Sequence, residues 1–218
     1  YEIASCLVGS EMCIRDRCSI LLIDYSLAPE LKFPHGIKDC KKAFSWMLDN
    51  GPNGQGKCTK SFVSGDSAGG GLSLGVTLSL KDDGSQLPDA VMSLCPWAEL
   101  DPVSESYETN ASNDPYISRD AISAFRDLYI ENESDLKDPY ASPVYGDYDG
   151  FPPLLIQVGG REVLLDDSLK VAEKAKKSGC EVKLEVWDDM VHVFQGYAPF
   201  LPEANEALEA IAKFISNK

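Results

Sequence analysis

The chain has 218 residues, 44% of them hydrophobic and 25% charged, enough for one domain with its own core and close to the soluble globular average. Its 35 acidic against 20 basic side chains give a formal charge of −15, which excludes nucleic acid as the expected partner and argues against adhesion to anionic membranes. No apolar run approaches the roughly 18–20 residues that span a bilayer.

The seven cysteines are Cys6, Cys13, Cys18, Cys40, Cys58, Cys95 and Cys180. They form no CxxC pair and have no histidine close in sequence, so a zinc site is not expected. Unpaired thiols and the lack of a signal-peptide pattern predict a reducing, cytoplasmic location.

Residues 1–17 read YEIASCLVGSEMCIRDR, and within them Leu7–Asp16 fits no helix or strand period and precedes a clean strand pattern abruptly. The stretch Leu7–Asp16 matches one reading frame of a common transposon sequencing adapter, CTC GTG GGC TCG GAG ATG TGT ATA AGA GAC. Upstream adapter bases, TAC GAG AT, supply Tyr1, Glu2 and the start of Ile3 in the same frame. Residues 1–17 are therefore expected to be translated adapter. Natural sequence then runs as a single domain over 18–218, starting inside a gene. Removing three acidic and two basic side chains changes −15 to −14.

Ser19–Tyr25, SILLIDY, reads as a short buried strand. Ala28-Pro29 and Phe33-Pro34 punctuate a loop, and Asp39–Asp49 reads as a helix. A Gly/Pro/Asn-rich loop over 51–56 precedes a strand at Ser61–Ser64. Ala68–Lys81 reads as a helix despite its glycines, and Ala90–Cys95 as a strand closed by Pro96. Residues 101–115 are polar and irregular. Ser118 is placed as N-cap of a helix running to Glu131. A buried strand at Leu154–Val158 is followed by an amphipathic helix, Asp167–Ser178, stopped by Gly179. Val182–Trp187 reads as a strand and Glu203–Ser216 as the final helix. Strands alternating with helices predict an α/β fold, a mainly parallel sheet flanked by helices.

Between the strand at 61–64 and the next helix stands Gly65-Asp66-Ser67-Ala68-Gly69, followed by Gly70 and Gly71. G-x-S-x-G between strand and helix presents the serine on a sharp, strained turn. Ser67 is the candidate nucleophile. Side chains at 65 and 69 are expected to collide with neighbouring backbone, which explains both glycines. The helix N-terminus would face a reacting carbonyl, and the Ala68 N–H would donate to its developing oxyanion.

Serine needs a base, and the chain has two histidines. The order serine, acid, histidine selects His192, beyond the last strand, and leaves His35 as an exposed loop residue. The acid should leave the strand at 154–158. Glu162 comes first in that exit, and Asp166 is the alternative. Asp166 and Asp167 also suit N-capping of the following helix.

Together these residues resemble the bacterial hormone-sensitive-lipase-like esterases of the α/β-hydrolase fold, over nearly all of 18–218. Asp24-Tyr25-Ser26-Leu27-Ala28-Pro29-Glu30 with Phe33-Pro34 is similar to that family's D-Y-R-L-A-P-E…F-P. Gly65–Gly70 matches its G-D-S-A-G-G elbow, and Pro96-Trp97 its P-W. Glu162–Asp166 resembles its D/E-x-L-x-D loop, whose first carboxylate is catalytic, and Met190–Phe194 resembles its histidine loop.

The resemblance implies a serine carboxylic-ester hydrolase acting on short- to medium-chain acyl esters through an acyl-enzyme, with no metal or cofactor. It implies a small-molecule ester as partner, a partial cap around 101–140, and a homodimer through the sheet edge as an arrangement seen among relatives. It also implies an H-G-G-G loop upstream of the D-Y segment, which this chain does not contain. The N-terminal strands are accordingly expected to be missing and the chain nearly inactive. An amidase or thioesterase shares the same triad. A non-catalytic small-molecule receptor on this fold is the alternative of a different class.

Overall fold

The computed structural model describes residues 19–51 and 53–218; residues 1–17, and with them the adapter expectation, lie outside the described residues. Helix α1 (His35–Leu48) leads into a tiny antiparallel hairpin, β1 (Asn50–Gly51) and β2 (Gly54–Gln55), where composition predicts only a loop. Then follow β3 (Phe62–Asp66), α2 (Ala68–Asp82) and β4 (Ala90–Leu94). Two helices, α3 (Ser106–Thr109) and α4 (Arg119–Tyr129), separate β4 from β5 (Leu154–Gly159). The chain ends with α5 (Leu165–Lys177), β6 (Val182–Trp187) and α6 (Pro202–Ser216).

Among the described residues the main sheet has four parallel strands in the order β3-β4-β5-β6. Phe62 stands opposite Ala90, Val91 opposite Leu154, and Leu154 opposite Val182. Parallel strands in sequence order bring all their C-terminal ends to one edge, where the loops gather.

Period-two alternation divides the core between the two faces. Ala90, Met92, Leu94 and Leu155 pack against Leu208, Ile211, Phe214 and Ile215 of α6. Val91, Leu154 and Ile156 turn the other way, onto Leu74 and Leu78 of α2 and Val171, Ala172 and Ala175 of α5. Each such fully buried Leu or Ile contributes about 1.5–3 kcal/mol. Helix α1 lies outside α2, joined to it through Ile37, Cys40 and Phe44 against Val76 and Leu80.

Local signals set the helix ends. The Ser118 hydroxyl accepts the Ala121 N–H at 3.2 Å, as its N-cap position predicts. Gly179, at φ +83°, follows α5 in the left-handed conformation that glycine takes freely. Asp166 and Asp167 do not cap α5. The N-cap position is Leu164, and both acids lie in the first helical turn with their side chains directed to other segments.

Ser19–Tyr25 is not a strand. It carries no regular secondary structure, and Leu22 is 56% exposed. A cleft of about 1590 Å³ is lined by Ile20–Ile23 on one side and by β3 and Ser67 on another. An apolar run becomes a strand only by joining a ladder, and among the described residues this one has none to join.

Candidate active site

At the exit of β3 the backbone turns sharply into α2. Ser67 sits on that turn at φ 56°, ψ −121°, a conformation unusual for a residue with a side chain. The turn is bound to the end of β4. The Ser67 N–H donates to the Leu94 carbonyl at 2.9 Å, and the Ser67 carbonyl accepts the N–H of Trp97 at 3.0 Å and of Gly71 at 3.1 Å.

Such close approach excludes side chains. A Cβ at position 65 would lie 2.2 Å from the Gly69 carbonyl oxygen, and one at 71 would lie 1.9 Å from that of Trp97. Position 69 differs from expectation, because a Cβ there meets nothing within 4 Å among the described residues. The helical phase turns 69 away, while 70 and 71 face the end of β4. Ala68 opens α2 and is exposed, so its N–H has no carbonyl one turn earlier in the helix.

The structure brings Ser67, Glu162 and His192 together. His192 Nε2 lies 2.8 Å from Ser67 Oγ, and Nδ1 lies 2.6 Å from Glu162 Oε2. The other carboxylate oxygen, Oε1, accepts the Gly159 N–H at 2.7 Å. Glu162 is fully buried and His192 nearly so. A buried carboxylate is tolerable only with partners of this kind. With the proton on Nδ1 facing the carboxylate, Nε2 is left as an acceptor for the serine hydroxyl.

Asp166 is elsewhere, accepting the Ser106 N–H at 2.8 Å. Asp167 Oδ2 accepts the N–H groups of Ala98 and Glu99, each at 2.8 Å, and so ties α5 to the segment leaving β4. Burial pushes its carboxyl up to about 8 and outweighs these two donors. Burial also raises Asp66, with His192 pulling the other way. His35 is the exposed first residue of α1.

Sequence reasoning missed the residues that hold the acid loop. Asn110 donates through Nδ2 to the carbonyls of Gly160 and Glu162, at 3.1 and 3.0 Å. Asp114 Oδ2 accepts the Val163 N–H at 2.9 Å, and its Oδ1 accepts those of Tyr116 and Ile117. The Ser106 hydroxyl donates to the Val163 carbonyl at 2.6 Å. The histidine loop has its own anchors. Gln195 donates to Gln157 at 3.1 Å, and the Tyr197 hydroxyl meets that of Tyr116. Nothing in a polar, aperiodic stretch marks such residues before the fold is known.

Residues 7–196 match a family described as alpha/beta hydrolase fold. An acetyl-hydrolase of Streptomyces hygroscopicus is 35% identical over 198 residues, which is 90% of this chain and 64% of the relative. An esterase of Acinetobacter venetianus is 33% identical, covering 95% and 67%. The chain thus spans about two thirds of the length of these curated relatives. Two solved structures are similar. One, an esterase of the bacterial hormone-sensitive lipase family, has TM-score 0.87 and 39% identity over 95% of this chain and 68% of its own. The other, EstE5 soaked with p-nitrophenyl butyrate, has TM-score 0.88 and 41% identity over the same shares.

Proposed function

The chain belongs to the alpha/beta hydrolase fold family, among the bacterial hormone-sensitive-lipase-like esterases, and from that premise we propose a serine carboxylic-ester hydrolase with Ser67 as nucleophile, His192 as general base and Glu162 as the orienting acid. One observation carries the reading, the unbroken line of hydrogen bonds from Ser67 Oγ through both ring nitrogens of His192 to Glu162.

His192 Nε2 takes the Ser67 proton as Oγ attacks the ester carbonyl. The Ala68 N–H donates to the oxyanion, and Glu162 stabilises the imidazolium. His192 then protonates the departing alcohol. In the second half it activates a water that releases the acid from the acyl-enzyme. Short- to medium-chain acyl esters are the proposed substrates, in keeping with relatives named acetyl-hydrolase and esterase.

The sequence as it stands contains no H-G-G-G, which leaves Ala68 as the one assigned oxyanion donor. A single donor is worth about 10²–10³ in rate. The 218-residue chain by itself is therefore proposed to turn over esters far more slowly than the protein encoded by the uninterrupted gene. Residues 1–17 are likewise proposed to be translated adapter; the family match begins at residue 7, inside that stretch. Sequencing the source DNA upstream of the Cys18 codon tests it, and finding the same seventeen residues there overturns it.

The function is tested by fluorophosphonate labelling, and by turnover of p-nitrophenyl acetate through octanoate, with the gene-encoded protein and its Ser67→Ala variant. Labelling and turnover abolished by the substitution are expected. An unlabelled wild type would hand the case to the receptor reading, and preference for amides or thioesters would change the reaction class.

A further inference from the structure

Cys95 closes β4 in a left-handed conformation, φ 47°, and is fully buried. Its Sγ accepts the Val193 N–H at 3.3 Å, and its S–H faces Gln195 Oε1 at 3.9 Å. Among the described residues, its sulfur, a Glu162 carboxylate oxygen and a His192 ring nitrogen form a group of possible metal ligands, all within 4.8 Å of one another. Sequence spacing predicts no zinc site at Cys95 because no histidine lies near it along the chain; the fold supplies one from a different loop.

We propose that Cys95, Glu162 and His192 Nδ1 bind a zinc-group dication, Zn²⁺ with Cd²⁺ as its spectroscopic counterpart, and that occupancy switches the triad off; the switching-off rests on the esterase reading above.

Thiolate, carboxylate and imidazole are the usual zinc donors. Tetrahedral bonds of about 2.0–2.3 Å set donor atoms about 3.3–3.7 Å apart. The 2.6 Å contact between Nδ1 and Oε2 has to open slightly and the sulfur to draw in, a shift on the order of 1 Å. The hydrogen bonds from Gly159 N–H to Glu162 Oε1 and from Val193 N–H to Sγ can both persist and orient the ligands from outside. Three protein donors leave a fourth position for water or for Gln195 Oε1.

The protons balance. The Cys95 thiol donates toward Gln195 in the free protein, and a metal binds it as thiolate, so the metal must displace that proton to solvent. The imidazole proton moves from Nδ1 to Nε2 as Nδ1 gives its lone pair to the metal. The dication then neutralises one thiolate and one carboxylate, where the metal-free group buries a single negative charge. With Nε2 protonated, His192 presents a donor to Ser67 Oγ and cannot accept its proton.

The test titrates the reduced 218-residue chain with Cd²⁺ and follows the ultraviolet charge-transfer absorption of thiolate bound to cadmium. A saturable band is expected, competed away by Zn²⁺. Cys95→Ser is expected to lose one thiolate's share of it, and His192→Asn to need at least about tenfold more Cd²⁺. Both variants keep Cys6, Cys13, Cys18, Cys40, Cys58 and Cys180 as internal background. Superimposable titrations of wild type and Cys95→Ser overturn the proposal. Should Cys95→Ser lose the native circular dichroism spectrum, His192→Asn decides by the same criterion. The readout needs no activity, so a Cys95-dependent band retains the metal site even where the gene-encoded protein fails to hydrolyse esters, an outcome that counts against the esterase reading alone. An active esterase without the band does the reverse.

Discussion

Glu162 grips His192 from a fixed position, with one carboxylate oxygen 2.6 Å from Nδ1 and the other held by the Gly159 N–H. The acid therefore dictates which ring nitrogen carries the proton. In Glu162→Gln, the Gly159 bond leaves the side-chain NH₂ facing Nδ1, which forces the proton onto Nε2. In the gene-encoded protein kcat on p-nitrophenyl butyrate is expected to fall by on the order of 10⁴ with little change in KM. A drop of less than tenfold would mean that Glu162 does not set the tautomer.

Gly71 and Gly69 stand two residues apart and are expected to respond in opposite ways to a methyl group. Gly71→Ala puts a Cβ 1.9 Å from the Trp97 carbonyl oxygen, and overpacking against backbone is expected to cost about 1–3 kcal/mol or more. Gly69→Ala meets open space among the described residues and should gain about 0.5–1 kcal/mol from helix preference. Urea unfolding of the two variants beside wild type checks the contrast, and equal effects would contradict it.

Asn110 and Asp114 clamp the loop that carries Glu162, from a segment with no sequence motif. Asp114→Ala leaves the N–H groups of Val163, Tyr116 and Ile117 without their acceptor. A buried donor left unpaired costs about 1–3 kcal/mol; the Val163 and Ile117 bonds are partly buried and that of Tyr116 is exposed, so a loss of about 1 kcal/mol is expected in urea unfolding, together with slower ester turnover. An unchanged midpoint would show that water replaces the clamp.

Asp167 has its carboxyl pushed up to about 8 by burial, against about 3.9 in an unfolded chain. Between those values the unfolded chain has released the proton and the folded chain still holds it. Asp167 therefore makes stability fall as pH rises from about 4 to 8, with no contribution to the slope outside that window. Asp167→Asn keeps an acceptor for the Ala98 and Glu99 N–H groups and removes the titration. Urea midpoints measured from pH 5 to 8 should decline less steeply in the variant, and identical slopes would refute the assignment.

What the sequence disclosed was local. Alternating strands and helices, the Ser118 cap and the Gly179 stop come from short-range periodicity and capping, and the structure has them within a few residues of their expected ends. Chain order and strand exits also pointed to Ser67, Glu162 and His192 as neighbours. What stayed hidden depends on partners distant in sequence. SILLIDY has the composition of a strand and lacks a ladder. Asp166 and Asp167 look like helix caps and instead reach segments near residues 98–106. Gly69 looks like Gly65 until the helical phase is known. Asn110, Asp114 and Cys95 acquire meaning only when the loops after β4, β5 and β6 are folded against one another.

The Ser67–His192 hydrogen bond joins residues 125 apart in sequence and spans the sheet from β3 to the loop beyond β6. Contacts of such long range bear a loop-closure cost that is met only as the intervening strands pair, so they belong to the late stages of assembly. A half-folded chain containing β3, α2 and β4 would already display the serine turn, helix and strand, yet hold nothing able to take the serine proton. Reactivity at Ser67 thus reports that the last strand has docked, and labelling kinetics during refolding would time that event more faithfully than any measure of secondary structure.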